Sequence, residues 1–319
     1  NGEYIAETTS ELLGAELGIP AADVIVASTG VIGQAMTMEP FERGIPEVVK
    51  ALGEDSAPAA EAIMTTDTHA KEIALKFKVG GVECRMGGMA KGSGMIHPNM
   101  ATMLGFITCD CAIAPDMLSK ALSEDVQSSF NMVTVDGDTS TNDMVAVMCN
   151  GMAGNAEITA PGEAYDAFCE ALHTVTVYLS RQIAGDGEGA TKLLDCVVTG
   201  AKTLSDARTV ARAVVSSSLL KAAMFGADAN WGRVLCAVGY SGADVDISKV
   251  GVSFKSEAGE VHVCEFGSGV EFSEELAKSV LSAKEIYILV TLGDGAASAE
   301  AWGCDLTYEY VKINGDYRT

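Results

Sequence analysis

Apolar positions recur along this chain with two periods, one helical and one extended. Over residues 4–17, Ile5, Leu12, Leu13 and Leu17 fall near a 3.6-residue spacing, which predicts an amphipathic helix. Asp23-Val24-Ile25-Val26-Ala27 reads as a strand ending in Ser28-Thr29-Gly30. A helix follows around Pro40–Leu52, and Glu61–Met64 closes a second, short one. Ala74–Val79 and Val82–Met86 form a hairpin pattern turned at Gly80-Gly81. The glycine-rich stretch 87–98 leads into a strand beginning near Thr102. Pro115-Asp116 opens a helix with Leu118, Leu122 and Val126 four apart, and Met144–Met148 reads as a buried strand.

Ala164–Ile183 is the longest helical pattern. Asp195–Thr199 predicts a strand and Leu204–Ala223 a single helix. Val234–Val238, Val252–Lys255 and Val261–Glu265 read as strands, the last two joined by the turn Glu257-Ala258-Gly259. Ser273 caps a helix running to Ala283. Ile286–Leu292 and Cys304–Ile313 close the chain as strands. Helices and strands alternate irregularly, with several hairpins. The pattern therefore predicts an α/β (α+β) fold of mixed sheets covered by helices, not a doubly wound parallel sheet.

Length and charge narrow the classes. A chain of 319 residues can bury a substantial core. Its net charge of −23 repels nucleic acid and anionic membranes, which argues against both as partners. No apolar run reaches the ~20 residues of a membrane span. The nine cysteines lie mostly in apolar runs and include no CxxC pair. They read as reduced, buried thiols and predict a cytoplasmic, reducing location. The four histidines (His69, His97, His173, His262) are scattered, so no zinc site is expected. Asp136-Gly137-Asp138 begins like a calcium loop, but Val147 stands where the bidentate Glu belongs. That block and Asn230–Arg233 read as turn and wall architecture, with Arg233 a candidate partner for a carboxylate.

The chemistry concentrates at Thr102, in Lys91-Gly92-Ser93-Gly94-Met95-Ile96-His97-Pro98-Asn99-Met100-Ala101-Thr102. An isolated strand-opening threonine is ordinary. A threonine placed after a glycine-rich loop becomes a nucleophile if the chain is cut before it, because its own α-amine then serves as base.

This stretch resembles the self-cleavage segment of the ornithine acetyltransferase family, the glutamate N-acetyltransferases of arginine biosynthesis. Further blocks look like family blocks, in family order: Ser28–Gly33, Met64–Asp67, Asp136–Asp143, Glu188–Lys192, Asn230–Arg233 and Asn314–Thr319. The resemblance covers essentially the whole chain. It implies layered αββα packing in two related lobes, and self-cleavage between Ala101 and Thr102. The products are a light (alpha) chain, residues 1–101, and a heavy (beta) chain, residues 102–319, assembled as a heterotetramer of two each. Family members carry a sizeable segment before the helix that opens here, so the sequence reads as the tail of a longer precursor.

The implied reaction is ping-pong acetyl transfer from N-acetylornithine to glutamate through an acetyl-Thr102 ester. Thr29 and Gly30 match the family's oxyanion pair. Lys91 matches its carboxylate-binding lysine. Thr65, Glu188, Asn314 and Thr319 match the other binding positions, with Glu188 suited to the δ-ammonium of ornithine. Read without the resemblance, Lys91 is an exposed loop lysine and Glu188 a solvated member of a flexible acidic loop. No cofactor is implied. Some members also use acetyl-coenzyme A as donor, and the sequence leaves open which type this is. Two alternatives compete: an N-terminal-threonine aminopeptidase or amidase of the same fold, and an uncleaved binding protein that has lost the chemistry.

Overall fold

The computed structural model describes residues 1–97 and 103–316. In chain order the helices and strands are α1 (Gly2–Leu17), α2 (Glu39–Lys50), α3 (Ala57–Ala62), β1 (Lys71–Val79), β2 (Val82–Lys91), β3 (Leu104–Cys109), α4 (Pro115–Asp125), β4 (Met144–Cys149), α5 (Glu163–Gly185) and β5 (Leu193–Ala201). There follow α6 (Leu204–Ser216), α7 (Ser218–Phe225), α8 (Trp231–Tyr240), β6 (Gly251–Ser256), β7 (Gly259–Glu265), β8 (Ser268–Gly269), α9 (Glu274–Leu281), β9 (Glu285–Thr291), β10 (Ala297–Cys304) and α10 (Tyr308–Asp316).

Two compact units emerge: residues 1–59 with Asp316, and residues 60–315. In the first, α1 packs on α2 and ends at Gly18, whose φ of 70° closes the helix in the left-handed region. Residues 24–31 are irregular, not the expected strand. A strand needs a neighbour to pair its N–H and C=O groups, and this apolar run has none among the described residues.

The second unit holds both sheets, as the mixed α/β reading required. One has order β1-β2-β3-β4, the other β10-β5-β9-β6-β7-β8. Each sheet has one parallel pair among antiparallel ones: β3 with the edge strand β4 in the first, and β5 with β9 inside the second. The long helix α5 packs on β1 and β2 and also meets β10. Its stripe Phe168, Leu172, Val175, Leu179 and Ile183 is fully buried. Burying each such side chain contributes about 1.5–3 kcal/mol. Helix α6 covers β5 and β10, and α9 covers β6 and β7.

Three expectations fail locally. Val234–Val238 is helical, inside α8, because the Asn230 side chain accepts the Arg233 N–H and starts a helix that a short apolar run does not announce. The predicted helix 204–223 is two helices. Ser217 turns extended between them, and its Oγ accepts the Leu220 N–H. The last strand lies earlier than expected: β10, Ala297–Cys304, pairs with β5 and buries Trp302, and residues 308–316 are helical. Asp305 stops the strand by accepting the Thr191 and Lys192 N–H groups, and Thr307 Oγ accepts the Tyr310 N–H as α10 begins.

Gly88 shows how tightly α5 sits on the first sheet. A Cβ there would lie 2.8 Å from Val175 Cγ1 and 3.1 Å from Leu179 Cδ1. Gly88→Ala is expected to cost about 1–3 kcal/mol by overpacking, read as a lower urea-denaturation midpoint. Gly80→Ala, with open space but a φ of 57°, tests backbone strain alone.

Candidate active site

The site begins at the C-terminal end of β2. Antiparallel pairing sets Lys91 opposite Leu104, two residues past Thr102, so the sheet holds both ends of the proposed cleavage loop. Gly92 follows with φ 154°, and a Cβ there would press on Ile96 Cδ1 at 2.9 Å. Met95 takes a left-handed φ of 54°. Residues 103–104 return into β3, and Met144 N–H donates to the Met103 carbonyl at 2.8 Å.

Asp136 fixes the loop. Its carboxylate accepts the N–H groups of Met95 (2.7 Å), Ile96 (3.0 Å) and Asp138 (3.2 Å), and the Tyr310 hydroxyl at 3.2 Å. Burial holds this carboxyl above its ordinary range, against those amide donors. Thr139 Oγ1 donates to the His97 carbonyl at 2.8 Å. The His97 ring lies between Thr134 Oγ1 and Arg212 Nη2, each at 3.0 Å. Arg212 can only donate, so His97 Nε2 accepts and Nδ1 carries the proton. Burial and the Arg212 charge keep the ring below its usual pKa. The Asp136–Asp143 block, which resembled calcium and turn motifs in sequence, is thus a clamp on the segment before the proposed scissile bond.

Behind the loop lies a buried ion cluster. Lys71 Nζ is 2.7 Å from Asp67 Oδ1 and 2.5 Å from Asp186 Oδ2, and all three side chains are almost wholly buried. Asp67 also accepts the Thr65 N–H (3.1 Å) and the Gly92 N–H (2.7 Å). Burial alone would raise this carboxyl, but the Gly92 N–H and Lys71 outweigh it and hold it below its ordinary range. Asp186 accepts from both the N–H and the hydroxyl of Thr68. Its carbonyl accepts Ser93 Oγ at 2.7 Å, while Ser93 O accepts the Glu188 N–H at 2.9 Å. One cluster therefore ties together segments 65–68, 91–93 and 186–188.

These segments present the expected binding groups. Glu188 is buried, not solvated, and its Oε2 accepts from Asn314 Nδ2 at 2.7 Å. A Cβ at Gly94 would fall 2.4 Å from the Glu188 carboxyl carbon, so any larger residue there would push that carboxylate out of its place. Lys91 is half-buried. Burial lowers its ammonium below its ordinary range, and the charges of Asp67, Asp143 and Glu188 partly offset that. Asp143 is pushed up to about 7 by burial, opposed by Lys91. Its Oδ2 is shielded from water and has no partner among the described residues.

Lys91, Glu188 and Asn314 thus converge, and Thr65 joins them through Asp67, with its own side chain exposed. Thr29 and Gly30 are exposed in the first unit, on the irregular segment that follows Ala21–Asp23. Ala101, Thr102 and Thr319 lie outside the described residues. Arg233 pairs with no carboxylate among the described residues. Its Nη1 donates to the Leu219 carbonyl at 2.5 Å, a structural role.

A model of the ArgJ family matches residues 1–319. The chain belongs to the ArgJ family. The Arginine biosynthesis bifunctional protein ArgJ of Thermotoga neapolitana is 50% identical over 319 residues, which is 100% of this chain and 79% of that protein. Its counterpart in Symbiobacterium thermophilum is 53% identical over 315 residues, covering 98% of this chain and 77% of that protein. A crystal structure of the Arginine biosynthesis bifunctional protein argJ of Bacillus halodurans is similar with a TM-score of 0.64 and 44% identity, over 68% of this chain and 100% of the solved one. The sequence resemblance and its acyltransferase class agree with this membership of ArgJ.

Sequence reading missed Lys71, Asp186 and Asp143. The signal for Lys71 was its phase: it shares a β1 face with Ile73, Leu75, Phe77 and Val79, an apolar face where a charge must be paired.

Lys71→Met is expected to destabilise the fold by about 3–5 kcal/mol, because it leaves two buried carboxylates without their cation. Lys76→Met, which breaks the exposed pair with Glu83, is expected to leave the denaturation midpoint nearly unchanged. Urea titration of both variants checks the contrast. Asp143 is protonated in the folded state up to about pH 7 and ionises in the unfolded chain near pH 4. Its contribution to stability therefore declines as pH rises from about 4 to about 7 and is flat above. The stability of Asp143→Asn relative to the parent should rise across that window, measured by denaturation at several pH values.

Proposed function

We propose that this chain is a self-processing N-terminal-threonine acetyltransferase that moves an acetyl group from N-acetylornithine to glutamate. The Thr102 hydroxyl attacks the Ala101 carbonyl and turns the amide into an ester. Water opens the ester and leaves Thr102 with a free α-amine, whose ordinary pKa of ~7.7–8.0 suits a base near neutrality. The amine then takes the hydroxyl proton while the oxygen attacks the acetyl carbonyl, and the ornithine amine departs with a proton. Glutamate's amine attacks the acetyl-Thr102 ester, releases N-acetylglutamate and restores the hydroxyl.

The carrying observation is the convergence of Lys91, Glu188 and Asn314 beside a loop that Asp136 clamps just before Ala101-Thr102. A site for an amino acid needs a cation for its carboxylate and a polar end for its tail. Lys91 supplies the first, and Glu188 with Asn314 the second. Thr65 and Thr319 complete the substrate contacts in this reading, and Thr29 with Gly30 supplies the oxyanion donors. The cut leaves residues 1–101 and 102–319, paired two and two in a cytoplasmic enzyme. Residues 102–319 make up about 68% of this sequence, the share matched by the whole solved Bacillus halodurans chain. That equality of length supports the boundary. Acetyl-coenzyme A is a second donor in this reading, in keeping with the word "bifunctional" in the relatives' names.

N-terminal sequencing of the purified protein should return Thr-Met-Leu-Gly beside the light-chain start. Thr102→Ala should remain a single band on a denaturing gel and lose acetyl transfer, with Thr102→Ser keeping part of both. A two-band mutant would overturn the reading. Acetylornithine cleavage at a rate indifferent to added glutamate would favour an amidase instead.

A further inference from the structure

Four of the nine cysteines meet at one corner of the first sheet. Cys84 lies on β2, Cys109 ends β3, Cys111 follows two residues later, and Cys149 ends β4. Parallel pairing sets Cys109 directly opposite Cys149, so both side chains leave the sheet on the same face. Hydrogen-bonding contacts link the thiols of Cys149 and Cys109, of Cys109 and Cys111, and of Cys111 and Cys84. Asn155 holds the inner end: its Oδ1 accepts the Ala112 N–H at 2.8 Å and lies 3.9 Å from Cys84 Sγ. The sulfurs form a row, not a cage, and among the described residues no three ligating groups converge as a metal ion requires.

Within the row, Cys109 is the member that others donate to. Its Sγ accepts the Cys111 N–H at 3.4 Å. The Cys111 and Cys149 thiols donate to it as well. Together with the Cys111 and Asp110 N–H groups they outweigh burial and hold Cys109 well below the ordinary thiol range. The same contacts, with burial, hold Cys111 and Cys149 above that range, as protonated thiols. Cys109 is 4% exposed. It nevertheless lines a cleft of about 820 Å³ together with Thr108, Asp110 and Asn150, which gives a small molecule access to it.

We propose that Cys109 is a site of oxidation by hydroperoxides, with Cys149 as the thiol that closes a bridge to it. The Cys109 thiolate attacks one peroxide oxygen and the O–O bond breaks. The other oxygen leaves as an alcohol or water, taking a proton from solvent, and Cys109 becomes a sulfenic acid as the peroxide is reduced by two electrons. The Cys149 sulfur then attacks the Cys109 sulfur. An S–S bond forms, and the sulfenic hydroxyl departs as water with the Cys149 proton. The backbone allows this bridge, because a strand spacing of about 4.8 Å falls inside the roughly 4.4–6.8 Å between Cα atoms that a disulfide spans. It joins the far ends of β3 and β4, whose near ends, Leu104 and Met144, adjoin the candidate active site.

The test is peptide mapping of the purified protein under non-reducing conditions, before and after hydrogen peroxide at about 1 mM. Two of the nine thiols should be lost, in a Cys109–Cys149 cross-link that dithiothreitol reverses. Cys149→Ser should stop at the sulfenic acid, trapped by dimedone on Cys109. Cys109→Ser should lose both bridge and adduct, and Cys111→Ser should still form the bridge. Cys149 is the less buried of the pair, so its variant carries the test even where Cys109→Ser perturbs the core. Cys236 is exposed and serves as the control, since exposure alone would make it the first thiol to react. Dimedone labelling of Cys236 ahead of Cys109, a bridge between any other pair, or a Cys109 that stays reduced in peroxide overturns the proposal.

Discussion

The site depends on one buried cation. Lys71 sits between Asp67 and Asp186 with no access to water, and each carboxylate has its remaining oxygens engaged by backbone or hydroxyl donors. Desolvating three charges is expensive, and the arrangement persists only because every partner is satisfied. Its value is positional. The two carboxylates come from segments 119 positions apart in sequence, Asp67 and Asp186, and the ammonium fixes their separation. Lys91 precedes Gly92, whose N–H donates to Asp67, and Glu188 lies two residues past Asp186, so the cluster anchors the backbone beside both binding groups.

A second constraint acts from the other side. Asp136 grips consecutive amides of the loop and, through Tyr310, the helix that carries Asn314. Loop, Glu188 and Asn314 are therefore coupled by short polar contacts, in addition to the apolar packing of the buried Ile96. The sheets and α5 supply the rigidity on which these contacts stand. Gly92 and Gly94 are the backbone counterpart: one takes a φ that side chains avoid, and the other leaves room for a carboxyl group. Chemistry that strains a peptide bond needs such a held approach more than it needs a flexible one.

Particular elements show where sequence reasoning reached and where it stopped. The hairpin of β1 and β2, helix α5 and the pair β6 with β7 were legible, because their apolar periods are long and their turns carry glycine. Val234–Val238 misled because a short apolar run has no period of its own, and a single Asn230 cap decided it. The Cys304–Ile313 run misled for the opposite reason: β10 opens on Ala297-Ser298-Ala299-Glu300, which has no apolar pattern of its own, and pairs because β5 is there to receive it. The motif residues Lys91, Glu188 and Asn314 were legible as candidates, but the burial of Glu188 was not. A run of glycine and acid looks solvated until another segment closes over it.

By itself, the sequence determined the class of fold, the acidic and thiol-rich character, and the blocks that mark ArgJ membership, since these are carried by local period, composition and contiguous motifs. Tertiary structure alone decided which charges meet. Lys71, Asp67 and Asp186, or Asp136 and the amides of Met95 and Ile96, are brought together by strand pairing and helix packing across long stretches of chain. No pattern of neighbouring residues encodes such meetings, because the free energy that holds them is released only when water has left both partners at once.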